Sequence, residues 1–208
     1  EPTEFATNSP LQPSFFPDWG ASCTSNNPDF TLASNGVTCL CPDADFGDTG
    51  TLTINGQQKT FTKRNRIQLE NMIYNDDQDL QITLTCTSGI NDMSNLFKQT
   101  SFNQPLNNWD VSNVTNMKSL FAFNDSFNQP LNNWDVSSVI SMERMFRAAD
   151  GFNQPLNNWD VSNVTNMFET FGGTGSFNQP LNNWDVSSVT NMRYMFLNAY
   201  SFNQALNN

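Results

Sequence analysis

The four cysteines are the residues of this chain whose chemistry is easiest to predict, and all of them lie within residues 1–89: Cys23, Cys39, Cys41 and Cys86. An even number in one non-repetitive segment indicates a disulfide framework formed in an oxidising compartment. Cys39 and Cys41 flank a single residue, so a bond between them would be badly strained. Two pairings stay open: Cys23 with Cys39 and Cys41 with Cys86, or Cys23 with Cys41 and Cys39 with Cys86. Zinc is the less favoured alternative, because the chain has no histidine and the spacing is not that of a zinc knuckle.

Residues suited to catalysis are scarce. Without histidine there is no imidazole to serve in a triad or as a general base. Asp48-Thr49-Gly50 matches the aspartic-protease triplet, but no second copy exists to share a proton. Asp43, Asp45 and Asp48 carry oxygens suited to calcium, yet their glycine falls one place early for an EF-hand loop. The sequence therefore predicts no enzymatic activity, no metal site and no cofactor.

An internal repeat dominates the rest of the chain. The segment FNQPLNNWDVS recurs with a 25-residue period, and its first residue is in turn Phe102, Phe127, Phe152, Phe177 and, in a shortened copy, Phe202. A fixed period of this size means that one supersecondary unit is stacked on copies of itself. The recurrent Trp-Asp pair does not indicate a WD-repeat propeller, because such a blade needs about 40 to 45 residues. The sequence therefore predicts a solenoid that follows a different N-terminal segment.

Residues 106–112 are predicted to form the strand of each repeat. Leu106, Trp109 and Val111 follow the L-x-x-L-x-L frame of a leucine-rich repeat, in which these positions point inward. Four regularly spaced tryptophans would also suit a stacking platform for sugars or bases. The inward frame favours burial of the tryptophans in the core instead.

Residues 114–121 are predicted to form a short helix. Val114, Met117, Leu120 and Phe121 stand at i, i+3, i+6 and i+7, which places them on one helical face. The later repeats keep the same spacing, with methionine in several places. Regular helical spacing favours methionine as core filling over a soft surface for varied partners.

These motifs carry a resemblance to a known family. FNQPLNNWDVSNVTNMKSLF resembles the BspA-like leucine-rich repeats, in the version common in mycoplasma surface lipoproteins and in secreted proteins of protists and marine algae, over about Ile90 to Asn208. The resemblance implies a parallel-stranded solenoid in a surface or secreted protein that is adhesive or structural and not catalytic. One departure is that the usual repeat asparagine is replaced by valine, at Val114, Val139, Val164 and Val189. An asparagine ladder would then have to come from Asn103, Asn128, Asn153 and Asn178.

Residues 1–89 are predicted to be a disulfide-containing α+β segment that caps the solenoid. TLTINGQQKTFT is typical of a hairpin, with Asn55-Gly56 supplying the positive φ angles of a tight turn. RNRIQLENMIYN then has a helical pattern, and LQITLTC that of a strand. Solenoids need atypical end units to cover the terminal core, which is the role we assign to this segment.

Residues 90–208 are predicted to be the repeats, of which the first is degenerate and the last incomplete. Ile90, Met93 and Phe97 match the apolar residues of the following repeat. At the other end, FNQALNN stops before the next Trp-Asp position. This favours a longer natural chain, with end-to-end assembly as the alternative. A first residue other than methionine is what a chain trimmed after secretion would show, and a boundary chosen for expression explains it equally well.

The outward residues of the predicted strand repeat without variation. We call this set the Asn-Asp-Ser lattice; it comprises Asn108, Asp110, Ser112, Asn133, Asp135, Ser137, Asn158, Asp160, Ser162, Asn183, Asp185 and Ser187. Stacked strands would place its rows about 4.8 Å apart. Such a face suits a periodic ligand such as a polysaccharide, lateral contact with another solenoid, or simple hydration.

Variation is greatest at positions 118–119 and 122–125 and their equivalents in the later repeats. The predicted helix and the bend after it place them on the convex side. A specific protein partner would bind there, although drift on a side without a role is equally compatible with the pattern. Sequons at Asn113, Asn124 and Asn163 allow N-glycans if the source is eukaryotic.

Charge and hydropathy restrict the partners. The chain has 9 basic and 20 acidic residues and a formal net charge of −11, which disfavours nucleic acid and anionic membranes. No stretch of the sequence is apolar enough to predict a membrane-spanning segment. The sequence thus predicts a secreted or cell-surface module for adhesion to proteins or glycans, with further copies of itself as another partner. The alternative is a structural subunit of an extracellular fibre or sheath.

Overall fold

The structure is a computed structural model, and it describes residues 27–206. The pairing of Cys23 and the incomplete repeat end at Asn208 lie outside these residues.

The N-terminal segment contains two small sheets. Strands β1 (Thr31–Leu32) and β2 (Cys39–Leu40) form an antiparallel pair. In the second sheet, β3 (Thr49–Ile54) and β4 (Gln57–Lys63) are antiparallel, and β5 (Thr85–Cys86) pairs with β4 in parallel.

The predicted hairpin is confirmed. It is the β3–β4 pair, and its turn consists of Asn55 at φ 52° and Gly56 at φ 76°. Two consecutive positive φ angles match the right-handed twist of the flanking strands, and an Asn-Gly pair adopts them at low cost.

The predicted helix is also confirmed, as α1 (Arg66–Asn75). A capping box starts it: the Asn65 side chain accepts from the Gln68 backbone N–H at 2.9 Å, and the Gln68 side chain accepts from the Asn65 N–H at 2.9 Å. The strand predicted over 80–86 is mostly wrong, because Leu80–Ile82 form a 3-10 turn and only the last two residues are β5.

Successive repeats pair with one another through parallel backbone contacts. We call residues 90–206 the repeat array. Isolated parallel bridges join one residue of each repeat to its equivalent in the next, along Asp92, Asn116, Ser141, Asn166 and Asn191. Alternate N–H groups after the bridge donate to carbonyls of the following repeat, as in Met117 to Ser141 at 2.9 Å and Phe121 to Met145 at 2.8 Å. The backbone of each repeat is therefore satisfied largely by its neighbour.

These contacts correct the predicted helix of the repeat. Residues 114–121 form a chain of turns, and Ser119 and Phe123 have φ angles of 55° and 59°. A right-handed helix cannot include such residues. Because the N–H groups of residues 117, 119, 121 and 123 bond to the next repeat, they are not available for helical bonds within their own repeat.

The predicted strand over residues 106–112 is also absent, although its inward residues are placed correctly. Leu106, Trp109 and Val111 are buried, but the backbone turns there: the Trp109 N–H donates to the Leu106 carbonyl at 3.0 Å. The interior position of the tryptophans is confirmed, since Trp134, Trp159 and Trp184 are buried as well. Each indole N–H donates to a carbonyl of the preceding repeat, as in Trp134 to Leu106 at 2.9 Å.

One hydrophobic core runs through the repeats and contains two columns of phenylalanine rings. Neighbouring rings lie 5.4 to 5.7 Å apart in the first column, Phe97, Phe121, Phe146, Phe171 and Phe196. They lie 6.0 to 6.4 Å apart in the second, Phe102, Phe127, Phe152, Phe177 and Phe202. The columns interdigitate, with centroids as close as 3.9 Å. Leu69, Ile73 and Ile82 of the N-terminal segment join this core. A separate small core contains Phe30, Phe61 and the cysteines described below.

The predicted asparagine ladder is confirmed on the surface of the array. The Asn103 side-chain oxygen accepts from the Asn128 N–H at 2.9 Å and from the Gln129 amide at 3.1 Å. The same pair of bonds recurs from Asn128, Asn153 and Asn178 to the following repeats. The ladder joins each repeat to the next through backbone and side-chain amides.

Candidate binding surfaces of the repeat array

The aspartates of the Asn-Asp-Ser lattice are held by their neighbouring serines. Asp135 Oδ1 accepts from the Ser137 N–H at 3.1 Å and from its hydroxyl at 2.6 Å. Asp160 and Ser162 repeat both bonds at the same distances, and Asp185 accepts from the Ser187 N–H at 3.0 Å. All three carboxylates are exposed to solvent. Each therefore has a fixed orientation and an outer oxygen that is free to meet a ligand.

Hydrogen bonds from the serines lower the pKa of two of these aspartates, Asp160 and Asp185. The Ser162 hydroxyl, followed by its N–H, holds the pKa of Asp160 below its ordinary value, against slight opposition from burial and from the charge of Asp185. The Ser187 side chain and N–H lower the pKa of Asp185 in the same way. A carboxylate that accepts hydrogen bonds is stabilised in its ionised form. In the first row, the Asn108 amide does not contact the neighbouring aspartate and donates to the Thr83 carbonyl at 2.9 Å.

The first row of the lattice is covered, which corrects the prediction for Asp110. This residue is 6% exposed. Its Oδ2 accepts from the Ser88 hydroxyl at 2.5 Å, and its carbonyl accepts from the Thr87 hydroxyl at 2.9 Å. Because the N-terminal segment occupies this row, the accessible lattice begins at Asp135.

A shallow depression of about 340 Å³ lies in the accessible lattice. Asn158 and Asp160 line it from one repeat, and Asn183 and Asp185 line it from the next. Amide and carboxylate groups from two rows therefore converge on one place. Such a surface suits ligands rich in hydroxyl groups or carrying positive charge.

The variable positions form a second surface, on which side chains of successive repeats contact each other. We call it the charged ladder; it comprises Lys118, Glu143, Arg144, Arg147, Phe168 and Glu169. Lys118 lies 2.9 Å from Glu143, and Glu169 lies 2.8 Å from Arg144 and 2.9 Å from Arg147. The Arg144 guanidinium also lies 4.8 Å from the centre of the Phe168 ring. Opposite charges in adjacent repeats indicate matched positions and not random drift.

The pairing of opposite charges between adjacent repeats was not predicted from the sequence. Equivalent positions in the second and third full repeats carry Arg144 and Glu169, and those in the first and second carry Lys118 and Glu143. Alternating charge at equivalent positions was therefore the available signal.

The three sequons differ in accessibility. Asn113 is exposed. Asn163 is exposed too, but its amide donates to the Ser137 carbonyl at 2.8 Å. Asn124 is fully buried, and its amide donates to the Phe102 carbonyl at 3.0 Å and to the Thr100 hydroxyl at 3.2 Å. The prediction of a glycan at Asn124 is therefore wrong for the folded chain, because a glycan requires a free amide at the surface.

The disulfide pairing is settled in part. Cys41 and Cys86 are bonded, which confirms half of one predicted pairing and excludes the one that joins Cys39 to Cys86. Cys39 has a free, buried thiol in the structure, and its other predicted partner, Cys23, lies outside the described residues. Burial, and then the charge of Asp110, raises the pKa of the Cys39 thiol to about 12. This thiol is consequently protonated and unreactive at neutral pH.

Another depression, of about 740 Å³, lies between α1 and the first repeat. We call it the junction trough; Asn71, Tyr74 and Asn75 line it from the helix, and Asn95, Lys98 and Gln99 line it from the repeat. No motif of the sequence indicates this trough, because it depends on how the helix docks on the array.

Residues 27–206 contain neither a grouped set of metal ligands nor a membrane-spanning helix. No three His, Cys, Asp or Glu side chains of these residues are grouped so that they could hold a metal ion. Nor does this part of the chain contain a helix long and apolar enough to cross a membrane.

The comparisons with known proteins identify a family for the repeats. The chain matches the model of a family described as "Mycoplasma protein of unknown function, DUF285" at residues 67–174 and again at 132–208. Together these matches span more than half of the chain, which therefore belongs to this family. No curated protein and no solved structure matches it.

Proposed function

We propose that the repeat array is a leucine-rich-repeat-like solenoid of the BspA-like type, capped by the N-terminal segment. Parallel bridges that recur once per repeat support this architecture, as do the continuous phenylalanine columns. The capping role is supported by Ile82, whose carbonyl accepts from the Trp109 indole at 3.2 Å, the bond that a preceding repeat makes elsewhere. In a solenoid, backbone pairing between successive repeats places equivalent residues on the same side of the molecule.

We further propose that the protein is a non-catalytic adhesion or binding module that works outside the cell. The observation that carries this proposal is the exposed row of Asp135, Asp160 and Asp185, each oriented by a serine in the same way. Identical groups at one spacing match a ligand that is itself periodic. A polysaccharide, or a regular protein surface in a cell wall or matrix, has this property. The Cys41–Cys86 bond supports an oxidising, extracellular location.

The test replaces two lattice carboxylates, as Asp135→Ala with Asp160→Ala. The matched control is Asp125→Ala with Asp150→Ala, which removes the same charge from exposed residues of the variable bend. Binding to immobilised cellulose, chitin and chitosan would be measured at low and high salt. We expect at least one polymer to retain the natural protein and the control, and to lose the lattice variant by about tenfold or more. Equal retention of both variants, or no retention on any polymer, would contradict the proposed lattice function.

The alternative function is a structural subunit of an extracellular fibre or sheath. Pairing of each repeat with its neighbours through recurrent parallel bridges supports it, because units of this kind can be extended by further copies. Light scattering over a range of protein concentrations tests it. Particles that grow with concentration would favour a fibre or sheath, and an unchanged particle size would contradict it.

A further inference from the structure

The junction trough differs from the rest of the surface in the state of its aromatic residue. Tyr74 is 90% exposed, whereas most aromatic rings of the repeat array are buried and stacked. Its phenol makes no hydrogen bond or ring contact with another described residue. Beneath it, Ile73 and Leu96 are buried and give the trough a firm floor. An exposed ring beside a concave surface is arranged to cover an apolar face of a ligand.

The amides of the trough are also free. The side chains of Asn71, Asn75, Asn95 and Gln99 form no hydrogen bond within the described residues, in contrast to the paired amides of the asparagine ladder. Each amide carries two donors and a carbonyl acceptor, so these groups can bind hydroxyl and acetamido groups.

Hydrogen bonds and packing of the backbone fix the positions of the residues that line the trough. Asn95 and Gln99 have φ angles of 61° and 59°. Their N–H groups donate to the carbonyls of Lys118 and Ala122 at 2.9 Å each. On the opposite wall, Asn71 and Tyr74 project from α1, which packs on the array through Leu69 and Ile73. The two walls are therefore fixed relative to each other, and a ligand has to order only the side chains that they carry.

The charges near the trough disfavour an anion. Glu70 is paired with Arg66 at 2.7 Å, and Asp77 accepts from the Ser101 N–H at 2.6 Å. Asp76 and Lys98 are exposed and offset each other. The trough therefore has a slightly acidic, mostly neutral lining, which repels carboxylated or sulfated ligands and accepts neutral ones.

We propose that the junction trough is a binding site for a neutral oligosaccharide. The Tyr74 ring stacks on the C–H face of one sugar, and the amides of Asn71, Asn75 and Gln99 bind its hydroxyl or acetamido groups. The trough is one discrete site, used by one short saccharide, and is separate from the periodic lattice. It therefore does not depend on the proposed lattice function.

The test uses cellotetraose and N-acetylchitotetraose as neutral probes and tetragalacturonate as an anionic probe. We expect at least one neutral probe to bind with a dissociation constant below about 1 mM and to shift the NMR signals of Tyr74 and Gln99. Tyr74→Ala should weaken that binding about tenfold or more, because the stacking surface is lost. Tyr200→Ala is the matched control, since Tyr200 is 86% exposed in the last described turn.

Several outcomes would overturn the proposal. They are the absence of binding by both neutral probes up to about 10 mM, binding that survives Tyr74→Ala, and tetragalacturonate binding as tight as that of the neutral probes. Circular dichroism would verify that each variant is folded, and Gln99→Ala provides a second weakened variant. The variant Asp135→Ala with Asp160→Ala should bind the tetrasaccharide as the natural protein does, so a failure of the lattice is distinguishable from a failure of the trough.

Discussion

Hydrogen bonds from serine lower the pKa of two lattice aspartates, Asp160 and Asp185. The hydroxyl and N–H of Ser162 stabilise the ionised form of Asp160 and lower its pKa. The side chain and N–H of Ser187 lower the pKa of Asp185 in the same way. These two carboxylates therefore ionise more readily than an ordinary aspartate.

Replacing Ser162 by alanine should raise the pKa of Asp160 towards its ordinary value of about 4. Folding lowers this pKa, so the carboxylate's contribution to stability is complete above the ordinary value and is lost as pH falls through the lower, folded-state value. In Ser162→Ala this acid-side loss should shrink. NMR titration of the Asp160 carboxyl measures the change. An unchanged pKa in the variant would show that the serine hydroxyl has no such role, and Ser138→Ala is a control outside the pair.

The tryptophans stabilise the array from within. Trp134 is 4% exposed and donates to the Leu106 carbonyl of the preceding repeat. Trp134→Ala should therefore lower the free energy of unfolding by about 3 to 5 kcal/mol, since it leaves a cavity and an unpaired carbonyl. Urea denaturation measures this, with Tyr200→Ala expected to change little. A loss below about 1 kcal/mol would mean that the indole is not in the core.

At the scale of elements, each repeat depends mainly on its neighbours. Backbone bonds, ring columns and the charged ladder all join a repeat to the one before it and the one after it. The core residues of the repeats are nearly identical. The core alone would therefore allow one repeat to pair with a repeat other than its neighbour. The charged ladder distinguishes the correct neighbours, since Glu169 meets two arginines of the preceding repeat.

Deletion of residues 127–151 should therefore leave a folded protein, because Ser126 then joins the equivalent of its natural neighbour, Phe152. The shortened protein should be less stable, since Glu143, Arg144 and Arg147 leave with the deleted repeat. Deletion of residues 127–138 should abolish cooperative unfolding, because all later residues lose their register. Thermal melts compare the two. A cooperative melt of the shorter deletion, with none for the whole repeat, would contradict the repeat as the structural unit.

The sequence predicted which residues of a repeat are buried better than how its backbone is arranged. Val114, Met117, Leu120 and Phe121 are buried as their spacing indicated. Yet the same short spacing of apolar residues fits a chain of turns as well as a helix. The hydrogen-bond partner of each backbone N–H group determines which of the two conformations forms. Those partners belong to another repeat, as for Met117 and Ser141, and no local pattern reveals them. In the hairpin and α1 the partners are local, and there the sequence was sufficient.

The candidate surfaces were predictable to a lesser degree. The lattice followed from identity between repeats, but the burial of Asp110 depends on where Ser88 of the N-terminal segment lies. The junction trough likewise depends on the docking of α1. Contacts between parts of the chain that are distant and dissimilar in sequence leave no periodic signal.

At the scale of the whole molecule, the disulfide closes a loop within the N-terminal segment, just before the array begins. Cys41 and Cys86 are separated by 45 residues and belong to the small core, next to the first repeat. The bond limits the unfolded chain in this region, and the array itself contains none.

Removal of this bond by Cys41→Ser with Cys86→Ser should lower the free energy of unfolding by about 4 kcal/mol, because the unfolded loop regains its entropy. Chemical denaturation measures the loss, and reduction of the natural protein should reproduce it. Peptide mapping of the unreduced protein by mass spectrometry is the direct check of the pairing. Four free thiols, or a bond between Cys39 and Cys86, would refute the assignment.

The central claim is that the repeats stack as successive turns of a solenoid, and one distance tests it most directly. Pro105 and Ala205 occupy equivalent, exposed positions four repeats apart. Nitroxide-bearing amino acids placed at both positions would be measured by pulsed electron spin resonance. Backbone spacing of about 4.8 Å gives about 19 Å over four repeats. The nearby Phe102–Phe202 column, with ring spacings of 6.0 to 6.4 Å, sets the upper end of the range. A narrow distribution at about 19 to 25 Å, widened by the labels, is therefore expected. A broad distribution, or one centred beyond about 30 Å, would contradict the stacking of the repeats.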